Sequence, residues 1–133
     1  FLFENVERRK RFTHISEIGA MEELLIEKKF TDMMLNAYVY LAQFPKSEKF
    51  GLATDMKRSM DLILHKIIEA KKKYYKKTTL QEMDVELEVL KKYVTLSYKR
   101  GFLPEKKYIE WTEALVELGR MVGGWIKSQQ NVK

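Results

Sequence analysis

Residues 44–75, FPKSEKFGLATDMKRSMDLILHKIIEAKKKYY, constrain the fold more than any other stretch of this chain. Proline disfavours helical geometry in the residue before it and fits the first turn of a new helix, so Phe44 and Pro45 end one helix and open another. Ser47 is the predicted N-cap. Apolar residues then recur at spacings of three and four, which places them on one face of a helix. They are Leu52, Met56, Met60, Ile63, Ile67 and Ala70.

A second apolar set, Leu64 and Ile68, widens the apolar stripe of this helix. A helix that is apolar over more than one face needs more than one neighbour. The pattern therefore predicts either the central helix of a bundle or a helix that also meets another subunit.

A first helix is predicted from Met21 to Gln43, again from apolar residues at helical spacing. These residues are Leu24, Leu25, Phe30, Met33, Met34, Ala37, Tyr38 and Leu41. With one helix on each side of the Phe44–Pro45 break, the chain begins as a pair of helices joined by a short connection.

Two further helices follow residues 76–79. Thr79 and Glu82 have the spacing of a capping box, and Gly101 suits the C′ position that ends a helix. The apolar face between them is Leu80, Met83, Leu87, Leu90, Val94 and Tyr98. Pro104 opens a fourth helix, whose apolar face is Tyr108, Trp111, Leu115, Leu118, Val122 and Trp125.

The composition agrees with this helical pattern. A chain of 133 residues fits one domain, and six glycines with two prolines leave few breaks. We therefore predict an all-α fold, an up-down-up-down four-helix bundle over residues 21–133. No run approaches the roughly 18 apolar residues of a membrane span, and no signal-peptide core is present at the N-terminus. The absence of cysteine fits a reducing compartment, so we expect a cytoplasmic protein that does not enter the membrane.

Residues 1–20 differ from the rest of the chain. The sequence starts at Phe1, the first methionine is Met21, and residues 8–11 form a basic cluster that suits either a nucleic-acid arm or a solvated extension. Residues 18–21 can be back-translated to a purine-rich ribosome-binding site followed by a start codon. We hypothesise that Met21 is the natural start and that residues 1–20 are a non-native extension or a translated leader.

The charge balance points to acidic partners. The formal net charge is +6, which makes a polyanion or an acidic protein the first partner to consider. Residues 66–77 contain six lysines and only one acidic residue, Glu69. They suit phosphate binding, or else they complement the helix dipole and solvate a helix end. Other basic pairs, at 57–58, 91–92, 99–100 and 106–107, spread the charge over three helices, which favours sequence-independent contact with a nucleic-acid backbone.

Residues with catalytic or metal-binding potential do not form a convincing site. A di-metal bundle uses Glu-x-x-His pairs, and neither His14 nor His65 has a glutamate three residues earlier. We expect His65 to be a partly buried polar contact. We expect an acidic group to complement the dipole at the start of the third helix, with a carboxylate site as the alternative; it comprises Glu82, Asp84, Glu86 and Glu88. Without a phosphate-cradling glycine loop or a nucleophile and base, we expect no enzyme, no cofactor and no metal.

Three glycines lie inside the fourth helix, at positions 119, 123 and 124. A glycine inside a helix costs roughly 1 kcal/mol relative to alanine, so a compensating gain is needed. Gly119 and Gly123 are one turn apart and form a smooth strip for close approach. The partner is either another helix of the same chain or a second subunit.

Three segments of the chain are distinctive: FPKSEKFGL at 44–52, IIEAKKK at 67–73 and ELGRMVGGWIKS at 117–128. Together they resemble the accessory variability determinant (Avd) proteins of diversity-generating retroelements. The similarity covers roughly residues 24–128, and its Gly-Arg-Met-x-Gly-Gly-Trp segment is specific. Proteins encoded in intervening sequences of bacterial ribosomal RNA genes share the fold and the Phe-Pro-Lys start. They typically continue with a Ser-Ile-Pro-x-Asn-Ile-Ala-Glu-Gly type of sequence, whereas residues 61–70 here read DLILHKIIEA, which favours the retroelement branch.

The resemblance implies a basic, barrel-shaped homopentamer that binds the element's reverse transcriptase and its template RNA or DNA. It implies an adaptor required for mutagenic retrohoming, in which a template RNA is copied with errors at adenines and the product diversifies a target gene. The alternative is a stand-alone basic four-helix-bundle RNA-binding protein of the ribosomal-RNA intervening-sequence type.

Charge and expected exposure, rather than a motif, select the residues predicted to contact nucleic acid or the reverse transcriptase. They are Lys57, Arg58, Lys71, Lys72, Lys73, Lys76, Lys77, Lys91, Lys92, Lys99 and Arg100. The predicted contacts between protomers are Leu64, Ile68, Gly119, Gly123 and Trp125.

Overall fold

The computed structural model describes the backbone of residues 2–130 and the side chains of residues 21–129. These residues form four α-helices and a short 3₁₀ turn, and no strand occurs among them. The helices are α1 (Leu2–Ala42), α2 (Leu52–Lys72), α3 (Lys77–Lys99) and α4 (Glu105–Gln130), and the 3₁₀ turn Lys46–Glu48 lies between α1 and α2. The predicted all-α fold of four helices is confirmed.

The four helices pack in a ring around one hydrophobic core. Helix α2 lies between α1 and α3, while α4 packs against both α3 and α1. Short connections join successive helices, as in an up-down-up-down bundle. On α2 the predicted face points into the core: Met60, Ile63 and Ile67 are buried, and Leu52 is partly buried against them.

Helix α1 departs from the prediction in its length and in its buried face. It begins at Leu2 rather than near Met21; whether residues 1–20 are native or a leader stays a prediction. Ile26 is 1% exposed, whereas Leu24 and Leu25 are 59% and 48% exposed. Ile26 lies one turn before Phe30. The 3.6-residue period of the helix therefore places both residues on the face of α1 that packs into the core. Leu24 lies on the other side of the helix.

The observed helix ends test the predicted N-caps and the predicted C′ glycine. Both predicted N-caps are wrong: Ser47 lies in the 3₁₀ turn, and Thr79 is buried inside α3, which already begins at Lys77. The predicted C′ glycine is confirmed. Gly101 has φ +79°, its N–H donates to the carbonyl of Tyr98, and the N–H of Phe102 donates to Ser97, both at 2.9 Å. These paired bonds form a Schellman motif.

Replacing Gly101 with alanine should lower the free energy of unfolding by about 1–2 kcal/mol, because a Cβ is strained in left-handed geometry. Urea denaturation followed by circular dichroism measures the change. Gly101→Asn is the matched control and should lose less, since asparagine tolerates this geometry. Equal stability of the alanine variant and the unchanged protein would contradict the role of the turn.

Candidate nucleic-acid interface

The eleven basic residues predicted to contact partners lie on α2, on α3 and in the connection between them, except Arg100, which directly follows α3. Three of their side chains, those of Lys71, Lys76 and Lys91, are half-buried, and the other eight are exposed. Exposure alone therefore does not separate them. Their ion pairs distinguish the residues that can bind a partner, because a lysine that already binds a carboxylate offers less positive potential to a phosphate.

Five of the eleven form ion pairs. The shortest join Lys71 to Glu27 and Lys73 to Glu69, each with a nitrogen–oxygen distance of 2.6 Å. The others are Lys91–Glu88 at 3.0 Å, Arg100–Glu48 at 3.6 Å and Lys76–Glu23 at 3.9 Å. The lysine-rich end of α2 is thus partly neutralised, chiefly by glutamates of α1 and of α2 itself.

Lys76 has a structural role at the end of α2. Its ammonium donates to the backbone carbonyls of Ala70 at 2.5 Å and Lys71 at 3.4 Å. The last carbonyls of a helix lack partners within the helix and carry the negative end of its dipole. For Lys76, the dipole interpretation of the lysine cluster is therefore right.

Lys66, Lys73, Glu69 and Glu82 form a charged network between α2 and α3. The ammonium of Lys66 lies 2.6 Å from Glu82 and 3.4 Å from Glu69. The hydrogen bond to Glu82 raises the pKa of Lys66 against an opposing effect of desolvation. The hydrogen bond from Lys73 lowers the pKa of Glu69, also against desolvation. The ion pair between Lys66 and Glu82 links α2 to α3.

Six of the predicted residues have no ion pair within the part of the chain whose side chains are described. Each is exposed to solvent, so its charge is available to a phosphate or a carboxylate of a partner. The ammonium of Lys57 also lies 5.8 Å from the centre of the Tyr38 ring, which favours a cation–π contact. The six are Lys57, Arg58, Lys72, Lys77, Lys92 and Lys99.

Two tyrosines that the sequence analysis did not select lie among these lysines. Tyr74 and Tyr75 occupy the connection between α2 and α3 and are 75% and 83% exposed. Their rings are 4.8 Å apart in an edge-to-face arrangement. The signal was present in the sequence, because residues 71–77 read KKKYYKK, and aromatic residues between basic ones are typical of single-strand binding sites.

The acidic group of α3 is placed differently from the prediction. Because α3 begins at Lys77, its first turn contains no acidic residue, and the dipole does not explain the group. Glu82 and Glu88 form ion pairs instead. Among residues 21–129 no three histidine or acidic side chains are grouped as metal ligands would be. His65 is exposed rather than partly buried, and the predictions for His14 and residues 8–11 concern side chains outside the described residues.

The glycines of α4 have open space where their side chains would lie. A Cβ built on Gly119, Gly123 or Gly124 would meet no described atom within 4 Å. A close crossing among the described residues therefore does not explain them, and contact with a second subunit stays a prediction. Trp125, by contrast, is 4% exposed and lies in the core, which leaves little of its surface for another protomer.

The second apolar set of α2 is accessible from outside the bundle. Leu64 is partly buried against the core and Ile68 is 38% exposed. Together with His65 and Glu69 they line an open cavity of about 520 Å³. This surface remains a predicted contact between protomers.

Comparison with known proteins gives one family. A family model described as bAvd-like matches residues 24–129, which include nearly all of α4 and the whole of α2 and α3. No curated protein matches the chain. Within the described residues, none of the helices has both the length and the apolar character needed to cross a membrane.

Proposed function

The chain belongs to the bAvd-like family, and from this membership we propose that it is a non-enzymatic accessory factor of a diversity-generating retroelement. It binds the reverse transcriptase and the template RNA of the element in the cytoplasm. By holding both in one complex, it supports mutagenic retrohoming. The polymerase supplies the chemistry, and this protein supplies binding surfaces.

The observation that carries the proposal is the set of six exposed basic side chains that have no ion pair with another described side chain. Three of them lie on α2 and three on α3, rather than together in a pocket. Cations spread over a rigid helical surface suit contact with phosphates along a nucleic-acid backbone, which needs no base-specific geometry. The formal net charge of +6 adds a long-range attraction to the same partner.

The accessory factor acts as a homo-oligomer, and a pentamer is the expected form. Support comes from the glycines of α4, which carry a helix-propensity cost that no close contact among the described residues offsets. Contact with a second copy would offset this cost, because glycine lets two backbones approach closely.

The deciding experiment is size-exclusion chromatography with multi-angle light scattering, run with and without the cognate reverse transcriptase and template RNA. We expect an oligomer whose mass increases when either partner is added. Binding of RNA without the polymerase would favour the stand-alone RNA-binding alternative. Indifference to both partners would contradict the proposal.

Charge reversal on α2 tests the basic surface. The double variant Lys57→Glu with Arg58→Glu should weaken RNA binding and reduce the dependence of log Kd on log salt by about 1–2, as expected for two lost phosphate contacts. The oligomer mass should not change, since both side chains are exposed. Fluorescence anisotropy at 50–200 mM salt measures the affinity.

Lys106→Glu with Lys127→Glu is the matched control for net charge. Both lysines are exposed on α4 and neither belongs to the predicted set. We expect a smaller loss of affinity from this pair. Equal losses from the two double variants would show that overall charge, rather than the α2 surface, determines binding.

A further inference from the structure

The aromatic pair in the α2–α3 connection does not pack into the core formed by the described residues. Neither Tyr74 nor Tyr75 belongs to the core or packs against it as a partly buried residue. Their one described aromatic contact is with each other, at 4.8 Å and an interplanar angle of 84°. In this edge-to-face arrangement the edge-on ring keeps both of its faces free, which agrees with the large exposure of both residues.

The connection that carries the rings is fixed at both ends. On the α2 side, the N–H of Lys73 donates to the carbonyl of Glu69 at 3.0 Å, and the two side chains form an ion pair at 2.6 Å. On the α3 side, Lys76 donates to the carbonyl of Ala70, and its own carbonyl accepts the N–H of Leu80 at 2.9 Å. Two exposed rings on an anchored connection lose less entropy on binding than rings on a free loop.

Positive charge flanks the rings on both sides. Lys72 and Lys77 are exposed, and neither has an ion pair with a described residue, whereas Lys73 and Lys76 between them are paired. Lysines on either side of exposed aromatic rings provide the two contacts that single strands need, phosphate neutralisation and base stacking. A duplex offers only the first of these along its length, because its bases are stacked on one another.

We propose that Tyr74 and Tyr75 form a stacking platform for unpaired bases and that Lys72 and Lys77 bind the adjoining phosphates. The ligand is single-stranded RNA. This inference rests on the proposed function, because it names the part of the basic surface that engages unpaired template and the chemistry of that contact.

Phe50 provides a comparison at the opposite end of the bundle. It is 95% exposed and has lysines near it in the sequence, at positions 46 and 49. It is a single ring, however, and the ring has no aromatic neighbour among the described residues. A platform for successive bases needs more than one ring, so the α2–α3 connection is the better candidate.

The test compares single-stranded and duplex RNA on the full chain. The double variant Tyr74→Leu with Tyr75→Leu keeps apolar side chains but removes both rings. Its affinity for an unstructured uridine 12-mer should fall about tenfold or more, given the size of base–aromatic stacking. Its affinity for a 12-base-pair RNA duplex should change less than about twofold, since phosphate contacts dominate there. Anisotropy titrations at one salt concentration measure both.

Three controls make the result specific. Tyr74→Phe with Tyr75→Phe keeps the rings and should bind the uridine 12-mer like the unchanged protein. Phe50→Leu should also bind it normally. Thermal melts should show equal stability for all variants, because the replaced side chains are exposed.

The experiment distinguishes failure of the stacking platform from failure of the proposed function. If the unchanged protein binds RNA and the double leucine variant binds the 12-mer equally well, the platform is overturned and the proposed function stands. Equal weakening for 12-mer and duplex also overturns the platform. If the unchanged protein binds neither RNA, both proposals fail.

Discussion

Replacing Gly123 with leucine is expected to convert the proposed oligomer into monomers while the four-helix fold stays intact. A side chain at this position would enter open space, since even a Cβ meets no described atom within 4 Å. The change should also raise helix propensity, by roughly 1 kcal/mol. If a second protomer packs against the strip formed by Gly119 and Gly123, leucine will separate the two backbones. Light scattering over a range of concentrations measures the mass, and circular dichroism measures the fold.

Glu113→Leu is the matched control for this variant. Glu113 is exposed on α4 and lies away from the glycine strip. The control adds the same apolar side chain and should leave the oligomer mass unchanged. An intact oligomer in the Gly123 variant would place the subunit contact elsewhere, with the surface around Leu64 and Ile68 as the next candidate.

Replacing Trp111 with alanine should lower the free energy of unfolding by about 3–5 kcal/mol. Trp111 is 2% exposed, and its ring centre lies 5.6 Å from that of Tyr40. Removal of the indole leaves a large cavity between α1 and α4. Because domains of this size are stable by only about 5–15 kcal/mol, the variant should be close to unfolding at room temperature. Urea denaturation provides the measurement.

Trp111→Phe separates the apolar packing from the indole N–H. The indole nitrogen is buried and has no hydrogen-bond partner among the described residues. Phenylalanine keeps much of the buried ring and removes this unpaired donor, whose burial costs about 1–3 kcal/mol. The phenylalanine variant should therefore be much more stable than the alanine variant. Equal losses from both would mean that the indole contributes something other than buried apolar area.

The apolar faces of α2, α3 and α4 were predictable because they depend on local periodicity. Residues three and four apart lie on one side of a helix whatever surrounds it. Met83, Leu90 and Leu118 therefore appear in the core where the pattern placed them. The turn at Gly101 was predictable for a similar reason, since a positive φ strongly favours glycine.

The N-caps were mistaken because a capping sequence competes with its surroundings. Thr79 has a side chain suited to an N-cap, but α3 starts two residues earlier, at Lys77, and Thr79 is buried within the helix. A sequence pattern gives several acceptable starts for a helix, and packing selects among them. The same holds for the face of α1, where Ile26 rather than Leu24 enters the core.

The sequence by itself determined that this protein is a basic helical bundle with an apolar face on each helix. Only the tertiary structure decided which lysines form ion pairs with other described residues. Lys71 pairs with Glu27, 44 positions away, and Lys66 with Glu82, 16 positions away. Such pairs depend on which helices are neighbours and how they align along the bundle axis, and helical periodicity specifies neither. The same neighbour relationships leave open space beside the glycines of α4, because whether a face is covered depends on the other helices.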